Sequence, residues 1–114
     1  MGSQKILITG ANGQLGTALT KSLRKRYGVD SVITSDLSTT KYYPSFHEIL
    51  DATDERGLGE IIEKYDITQI YHLAAVLSAK GEENPKQTWD VNMNSLLAVF
   101  RSAVKYKVEK VFFP

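Results

Sequence analysis

The sequence predicts an α/β fold, a doubly wound parallel sheet of strand order 3-2-1-4-5 with right-handed crossovers and helices on both faces. Three observations carry this reading. Ile6-Leu7-Ile8 is an unbroken apolar run, as a strand covered on both faces must be, and it leads at once into Gly10-x-x-Gly13-x-x-Gly16 and a helical repeat. Strand-like and amphipathic helical patterns then alternate to the end of the chain. Asp36 closes the second strand pattern 20 positions after Gly16, the separation at which a strand-end carboxylate faces a ligand held by such a turn.

Each element follows from its own pattern. From Gln14 the spacing is helical, with Leu15, Leu19 and Leu23 as the inward stripe and Lys21, Arg24, Lys25 and Arg26 on the outer face and last turns. Gly28 is the expected stop. Ser31 to Ser35 predicts a second strand ending at Asp36, and residues 37–47 read as a surface connection in which Tyr42 and Tyr43 are loop packing. Phe46 to Asp51 predicts a short third strand. Thr53 or Asp54 can cap a helix running to about Lys64, with Leu58, Ile61, Ile62 and Tyr65 inward. Gln69 to Leu73 is the fourth strand, followed by Ala74 and Ala75, whose small side chains leave room at the strand end. The connection from Val76 to Pro85 passes over that end.

Pro85 opens a long helix. Its residues Trp89, Met93, Leu96, Leu97, Phe100, Ala103 and Val104 give an apolar face broader than one sheet contact needs, which predicts a subunit interface on part of it. Asn92 and Asn94 interrupt the pattern, so each either faces solvent or serves a ligand. Lys110 to Pro114 begins a fifth strand, and the sheet reads as incomplete on its C-terminal side.

Composition bounds the function. The 114 residues suffice for one compact domain, and 14 basic against 13 acidic side chains leave a formal charge of +1, with no footprint for nucleic acid. No apolar run approaches the ~18 residues of a membrane span. The sequence has no cysteine, which excludes disulfides and thiolate chemistry and suits a reducing compartment. A cytoplasmic protein is therefore expected, or one of the mitochondrial matrix if the source is eukaryotic. Two histidines without a converging carboxylate set predict no metal site.

The glycine turn is where chemistry is expected. Its glycines allow a tight turn, a close approach to a pyrophosphate, and packing of the new helix on the sheet, while the helix start offers unpaired N–H groups to the anion. A bare spacing of this kind also simply joins strands to helices. Asp36 adds the discriminating chemistry: a carboxylate accepts both ribose hydroxyls of NAD, whereas the 2′-phosphate of NADP would meet like charge. Leu37, Ser38 and Thr39 supply no arginine to neutralise it. Asp51, at the end of the third strand, is a candidate for the adenine amino group.

Several separated blocks carry a resemblance. Ile8-Thr-Gly-Ala-Asn-Gly-Gln-Leu-Gly-Thr17, Val32-Ile-Thr-Ser-Asp36, Tyr71-His-Leu-Ala-Ala75, Leu77-Ser-Ala-Lys-Gly-Glu82 and Trp89-Asp-Val-Asn-Met-Asn-Ser95 resemble the extended short-chain dehydrogenase/reductase superfamily. Within it they are similar to the L-threonine 3-dehydrogenases related to UDP-galactose 4-epimerase. The resemblance implies a Rossmann-type NAD-binding domain over residues 1–114 and oxidation of L-threonine to 2-amino-3-ketobutyrate by hydride transfer to NAD. It implies that Gly10, Gly13, Gln14 and Leu15 contact the pyrophosphate, Asp36 the ribose, and Asp51 and Ala52 the adenine. Leu73, Ala74 and Ala75 would line the nicotinamide, Ser78 would touch the substrate, and Asn92 would support the active site. A homodimer through the helix 86–106 is implied as well.

One departure from the family pattern is large. Family members carry an active-site serine or threonine and then a Tyr-x-x-x-Lys pair beyond the position of Pro114, so the catalytic residues are expected to lie outside these 114 residues. His47 and His72 remain as bases, and each reads first as a hydrogen-bonded structural residue. The expectation is the N-terminal, cofactor-binding portion of a truncated dehydrogenase, inactive as a lone chain, with catalytic residues and substrate domain absent. The alternatives are a nucleotide-sugar epimerase or dehydratase fragment, and a non-catalytic dinucleotide-binding module.

Overall fold

The computed structural model describes residues 4–40, 45–74 and 84–114. Five parallel strands, β1 (Ile6–Thr9), β2 (Val32–Asp36), β3 (His47–Ile49), β4 (Gln69–His72) and β5 (Lys110–Phe112), form one sheet. Their order is β3-β2-β1-β4-β5, as the sequence predicts. β1 is central and in register with both neighbours, Ile6 lying beside Val32 on one side and Gln69 on the other. Among the described residues the α-helices are α1 (Gln14–Tyr27), α2 (Glu55–Tyr65) and α3 (Pro85–Lys105), with a short 3-10 turn at Val29–Ser31.

Alternation along the strands sorts the core into two layers. Ile6, Ile8 and Val32 pack with Leu19 and Leu23 of α1 on one face. Leu7, Ile33 and Ile70 pack with Leu58 and Ile62 of α2 and Val99 of α3 on the other. Burial of each such side chain is worth roughly 1.5–3 kcal/mol, so the two layers together hold the sheet closed on both sides. Gly28 ends α1 with φ of 97°, and its N–H donates to the Arg24 carbonyl. Of the two predicted caps for α2, Asp54 is the one used, accepting the Gly57 N–H at 3.0 Å.

Several expectations need correction. Arg24 is not on the outer face of α1; it is buried, donating through Nε and Nη2 to the Val32 carbonyl at 3.3 and 3.0 Å. The inward face of α1 is Gly16, Thr20 and Arg24, while Leu15 is exposed. The helix is turned by one residue from the leucine stripe because Gly16 must meet the glycine turn. The inward face of α3 is likewise the small set Ser95, Ala98, Val99 and Ser102, leaving Trp89 and Val104 64% and 82% exposed. The third strand is shorter than Phe46 to Asp51, although Thr34 and Leu50 extend its pairing by donating to Phe46 and Asp36 carbonyls. Tyr42 and Tyr43 lie outside the described residues. Among the described residues no helix is long and apolar enough to cross a membrane.

Candidate cofactor-binding site

At the carboxyl ends of the strands the chain leaves β1 through a turn built on backbone contact. Gly10 has φ of +67°, and a Cβ there would lie 2.6 Å from the Ala74 nitrogen and 2.8 Å from the Leu73 carbonyl carbon. A Cβ on Gly16 would lie 2.6 Å from the Gly10 carbonyl oxygen. Packing of the protein itself therefore requires these two glycines.

Gly13 differs. A Cβ there would meet only the Gly10 oxygen at 3.5 Å, an ordinary contact, and its φ of −69° suits any residue. Its small size is not demanded by the fold, and it lies on a cavity wall. It is also the N-cap of α1, where no side chain caps the helix and no acidic residue occupies the first turn. The helix start thus keeps N–H donors and positive potential for an anion.

The cavity measures about 270 Å³. Of the residues expected at a site, Gly10, Gly13, Asp36, Asp51, Ala52, Leu73, Ala74 and Asn92 line it. Gln14 and Leu15 begin α1 and are exposed, outside that lining. Ala75 and Ser78 lie outside the described residues. The open question over the asparagines resolves in two ways: Asn92 is half-buried on the cavity wall, and Asn94 is exposed. Beyond the expected set, Thr9, Ser35, Leu50, Val91 and Ser95 also line the cavity. Of these, Ser95 has a sequence signal, lying three residues after Asn92 and so on the same helical face.

Asp36 braces the turn as well as facing the cavity. Its Oδ2 accepts the Asn12 N–H at 2.8 Å and its Oδ1 the Leu37 N–H at 2.7 Å. Each carboxylate oxygen retains a further lone pair for a ligand hydroxyl. The Asn12 amide in turn donates to the Ser38 and Thr39 carbonyls at 3.1 and 3.2 Å, which ties the glycine turn to the loop after β2. Asp51 is exposed at the rim, and its carboxyl is held below the usual range by the Thr53 N–H and then the Thr53 hydroxyl, both donating to Oδ1.

Both histidines have structural partners. His47 Nδ1 lies 2.7 Å from Thr34 Oγ1, and its Nε2 lies 2.8 Å from the Ser38 carbonyl. His72 is buried, with Nδ1 2.8 Å from Thr9 Oγ1 and Nε2 3.2 Å from Ser95 Oγ. Burial pushes the His72 imidazole below its ordinary value of 6.5. Tyr106 and Lys110 have the Tyr-x-x-x-Lys spacing, but they stand away from the cavity. Tyr106 ends α3 and packs on α2, where a Cβ on Gly59 would lie 2.8 Å from its hydroxyl, and Lys110 opens β5 beside Gln69 at the amino end of the sheet. Among the described residues no three His, Cys, Asp or Glu side chains gather as a metal site.

Fold and cavity together define a dinucleotide-binding domain of the Rossmann type, with its ligand crevice at the point where strand order reverses about β1. Residues 6–114 match the NAD dependent epimerase/dehydratase family, and the chain belongs to that family, whose cofactor is NAD. An uncharacterized epimerase/dehydratase from Staphylococcus saprophyticus is 40% identical over 112 residues, 93% of this chain and 34% of its own length. Among solved structures, the GalE-like L-threonine dehydrogenase from Cupriavidus necator in its holo form is 49% identical with a TM-score of 0.91, over 96% of this chain and 36% of that one. A monomeric L-threonine 3-dehydrogenase from a metagenome is 43% identical with a TM-score of 0.86, over 92% and 34% of the two chains. The UDP-glucose 4-epimerase of Thermus thermophilus in complex with NAD is 28% identical with a TM-score of 0.80, over 95% and 36%. The chain spans about a third of the length of these proteins.

The His72 environment fixes the direction of a pH effect. With its folded pKa below 6.5, the unfolded chain takes up a proton at a pH where the folded chain does not, so stability falls as pH drops through 6.5 and toward the folded pKa. The midpoint of urea unfolding should therefore decline between about pH 7 and pH 5, and a His72→Leu variant should show a shallower decline over that range.

Proposed function

We propose that this cavity binds NAD as the cofactor site of an L-threonine 3-dehydrogenase, with these residues forming the N-terminal portion of a longer enzyme. The observation that carries the reading is the 49% identity and TM-score of 0.91 to a threonine dehydrogenase, against 28% and 0.80 for a UDP-glucose epimerase. In this reading the backbone at Gly10 and Gly13 and the first-turn N–H groups of Gln14 and Leu15 hold the pyrophosphate. Asp36 accepts the ribose hydroxyls, and Asp51 and Ala52 receive the adenine. Leu73, Ala74 and Ala75 line the nicotinamide, Asn92 supports that end, and Ser78 meets the amino acid.

Bound NAD would accept a hydride from the carbon that bears the threonine hydroxyl. This chain's part is to bind, orient and exclude water, because removal of the hydroxyl proton needs a base of suitable pKa within reach. His72 does not fill that role, since both ring nitrogens already have hydroxyl partners. Neither does Tyr106, which packs against Gly59 and is not among the residues of the cavity wall. In this reading the proton acceptor belongs to the remainder of the longer enzyme, and the chain alone is expected to bind without turnover.

A second reading is a nucleotide-sugar epimerase or dehydratase, favoured by the family match and by the staphylococcal relative. The two share the cofactor site and differ in substrate. In the enzyme that carries this chain, the first reading predicts NADH formation with L-threonine and no interconversion of UDP-galactose; the opposite pattern would reverse the choice. For the chain itself, calorimetry should give NAD binding at least tenfold tighter than NADP, and Asp36→Ala should cost about tenfold in NAD affinity. Equal affinity for the two dinucleotides would remove Asp36 from its assigned role.

The outward apolar residues of α3, Trp89, Leu97, Phe100 and Val104, support a two-fold homodimer through the helix 86–106. The metagenome enzyme is described as monomeric, so association rests on this stripe rather than on the fold. Sedimentation should give a dimer that Val104→Glu dissociates, and a monomer at high concentration would contradict it.

A further inference from the structure

His72 sits at the end of β4 between β1 and α3, and the proton inventory around it has one consistent solution. The Thr9 hydroxyl oxygen accepts the Ala74 N–H at 3.3 Å and shares the Leu73 N–H, at 3.1 Å, with the Thr9 main-chain carbonyl. Because the Ser95 hydroxyl donates to the Asn92 carbonyl, Nε2 must donate to Ser95, and the hydrogen between Thr9 Oγ1 and His72 Nδ1, 2.8 Å apart, is that of Thr9. Nδ1 is then an acceptor, the neutral ring carries its proton on Nε2, and that N–H donates to Ser95 Oγ at 3.2 Å. The Ser95 hydrogen goes to the Asn92 carbonyl at 3.0 Å. One directed chain of hydrogen bonds thus joins the backbone of Leu73 and Ala74, on one cavity wall, to Asn92 on the wall formed by α3.

The chain lies at one end of the cavity. Across the strand ends the order is Asp51 after β3, Asp36 after β2, Gly10 after β1, then Leu73 and Ala74 after β4. At the usual strand separation, three spacings place Leu73 and Ala74 roughly 14 Å from the Asp51 end. His72 is not part of the cavity lining, so any influence it has on a ligand passes through its neighbours.

We infer that His72 and Ser95 are positioning residues for the nicotinamide end of the site, fixing Asn92 relative to Leu73 and Ala74 while leaving the adenine end untouched. The inference rests on the reading of this cavity as an NAD site. The Ser95 hydroxyl accepts from His72 and donates to Asn92, which fixes its orientation on the cavity wall it helps to form. The imidazole supplies the one donor and one acceptor, at fixed separation, that bridging two hydroxyls from different elements requires.

The test compares NAD with ADP-ribose, which carries the adenine, ribose and pyrophosphate groups but no nicotinamide. Calorimetric titration of the wild-type chain, Ser95→Ala and His72→Leu should show each variant binding NAD at least fivefold more weakly and ADP-ribose within twofold of wild type. The double variant should be no weaker than the worse single one, since both cut the same chain. ¹⁵N spectra of the histidine ring should report the Nε2–H form in the wild type. Unchanged NAD affinity in either variant, or equal loss for both ligands as general loosening of the fold would give, overturns the inference. So does an Nδ1–H ring. A wild-type chain that binds neither ligand overturns the NAD reading itself, whereas wild-type binding with indifferent variants overturns the positioning role alone.

Discussion

The structure depends on a contact between two backbones. Gly10 turns with φ of +67° so closely against Leu73 and Ala74 that a methyl group there would lie 2.6 Å from a peptide nitrogen. Gly16 brings α1 equally close to the Gly10 carbonyl. Because side chains are excluded from both contacts, the end of β1, the end of β4 and the start of α1 converge within a few ångströms, and the remaining space is the cavity. The same convergence leaves the first-turn N–H groups of α1 pointing into a region without an acidic neighbour in that turn. A helix start open to an anion is the direct consequence of the packing.

Around this contact, polar residues do what apolar ones cannot. Thr9 and His72 occupy positions that Leu7 and Ile70 hold one step earlier on the same face of the sheet, yet they lie where the sheet ends and backbone donors need partners. Asn12 and Asp36 perform the equivalent service on the other side, joining the glycine turn to the loop after β2. Buried polar groups such as Thr9 and His72 are costly unless partners are supplied, and here each supplies the other. The cavity is therefore framed by hydrogen bonds at both ends and by glycine backbone in the middle, which favours a rigid, preformed site.

Much of this was legible in the sequence. The central strand was visible because a strand covered on both faces must be apolar without interruption, as Ile6, Leu7 and Ile8 are. α2 was visible because Leu58, Ile61 and Ile62 face a sheet across ordinary side-chain contacts. The leucine stripe of α1 was legible only in part, and the closest contacts of α1 and α3 not at all. Where a helix lies close to the sheet, its most buried residues include small or polar ones, Gly16 and Thr20 in one case and Ser95 and Ser102 in the other, while Leu19 and Leu23 pack beside them and Leu15 is left exposed. Arg24 reads as a surface cation at the end of a helix, and only the tertiary placement of the Val32 carbonyl makes it a buried donor. In the site, Asp36 was legible from spacing, whereas the roles of Thr9, His72 and Ser95 depend on three elements meeting, which no local pattern encodes. Tyr106 and Lys110 show the converse, a catalytic spacing that the fold carries to the wrong end of the sheet.

The central claim is that NAD occupies the cavity between the glycine turn and the strand ends. Titration of the ¹⁵N-labelled chain with NAD, followed by backbone amide shifts, tests it most directly. The account predicts saturable shifts concentrated at Gly10, Gly13, Leu37, Ala52 and Ala74, with the amides around Arg56 and Lys105 unmoved. Shifts centred elsewhere, or none in a folded sample, would contradict it.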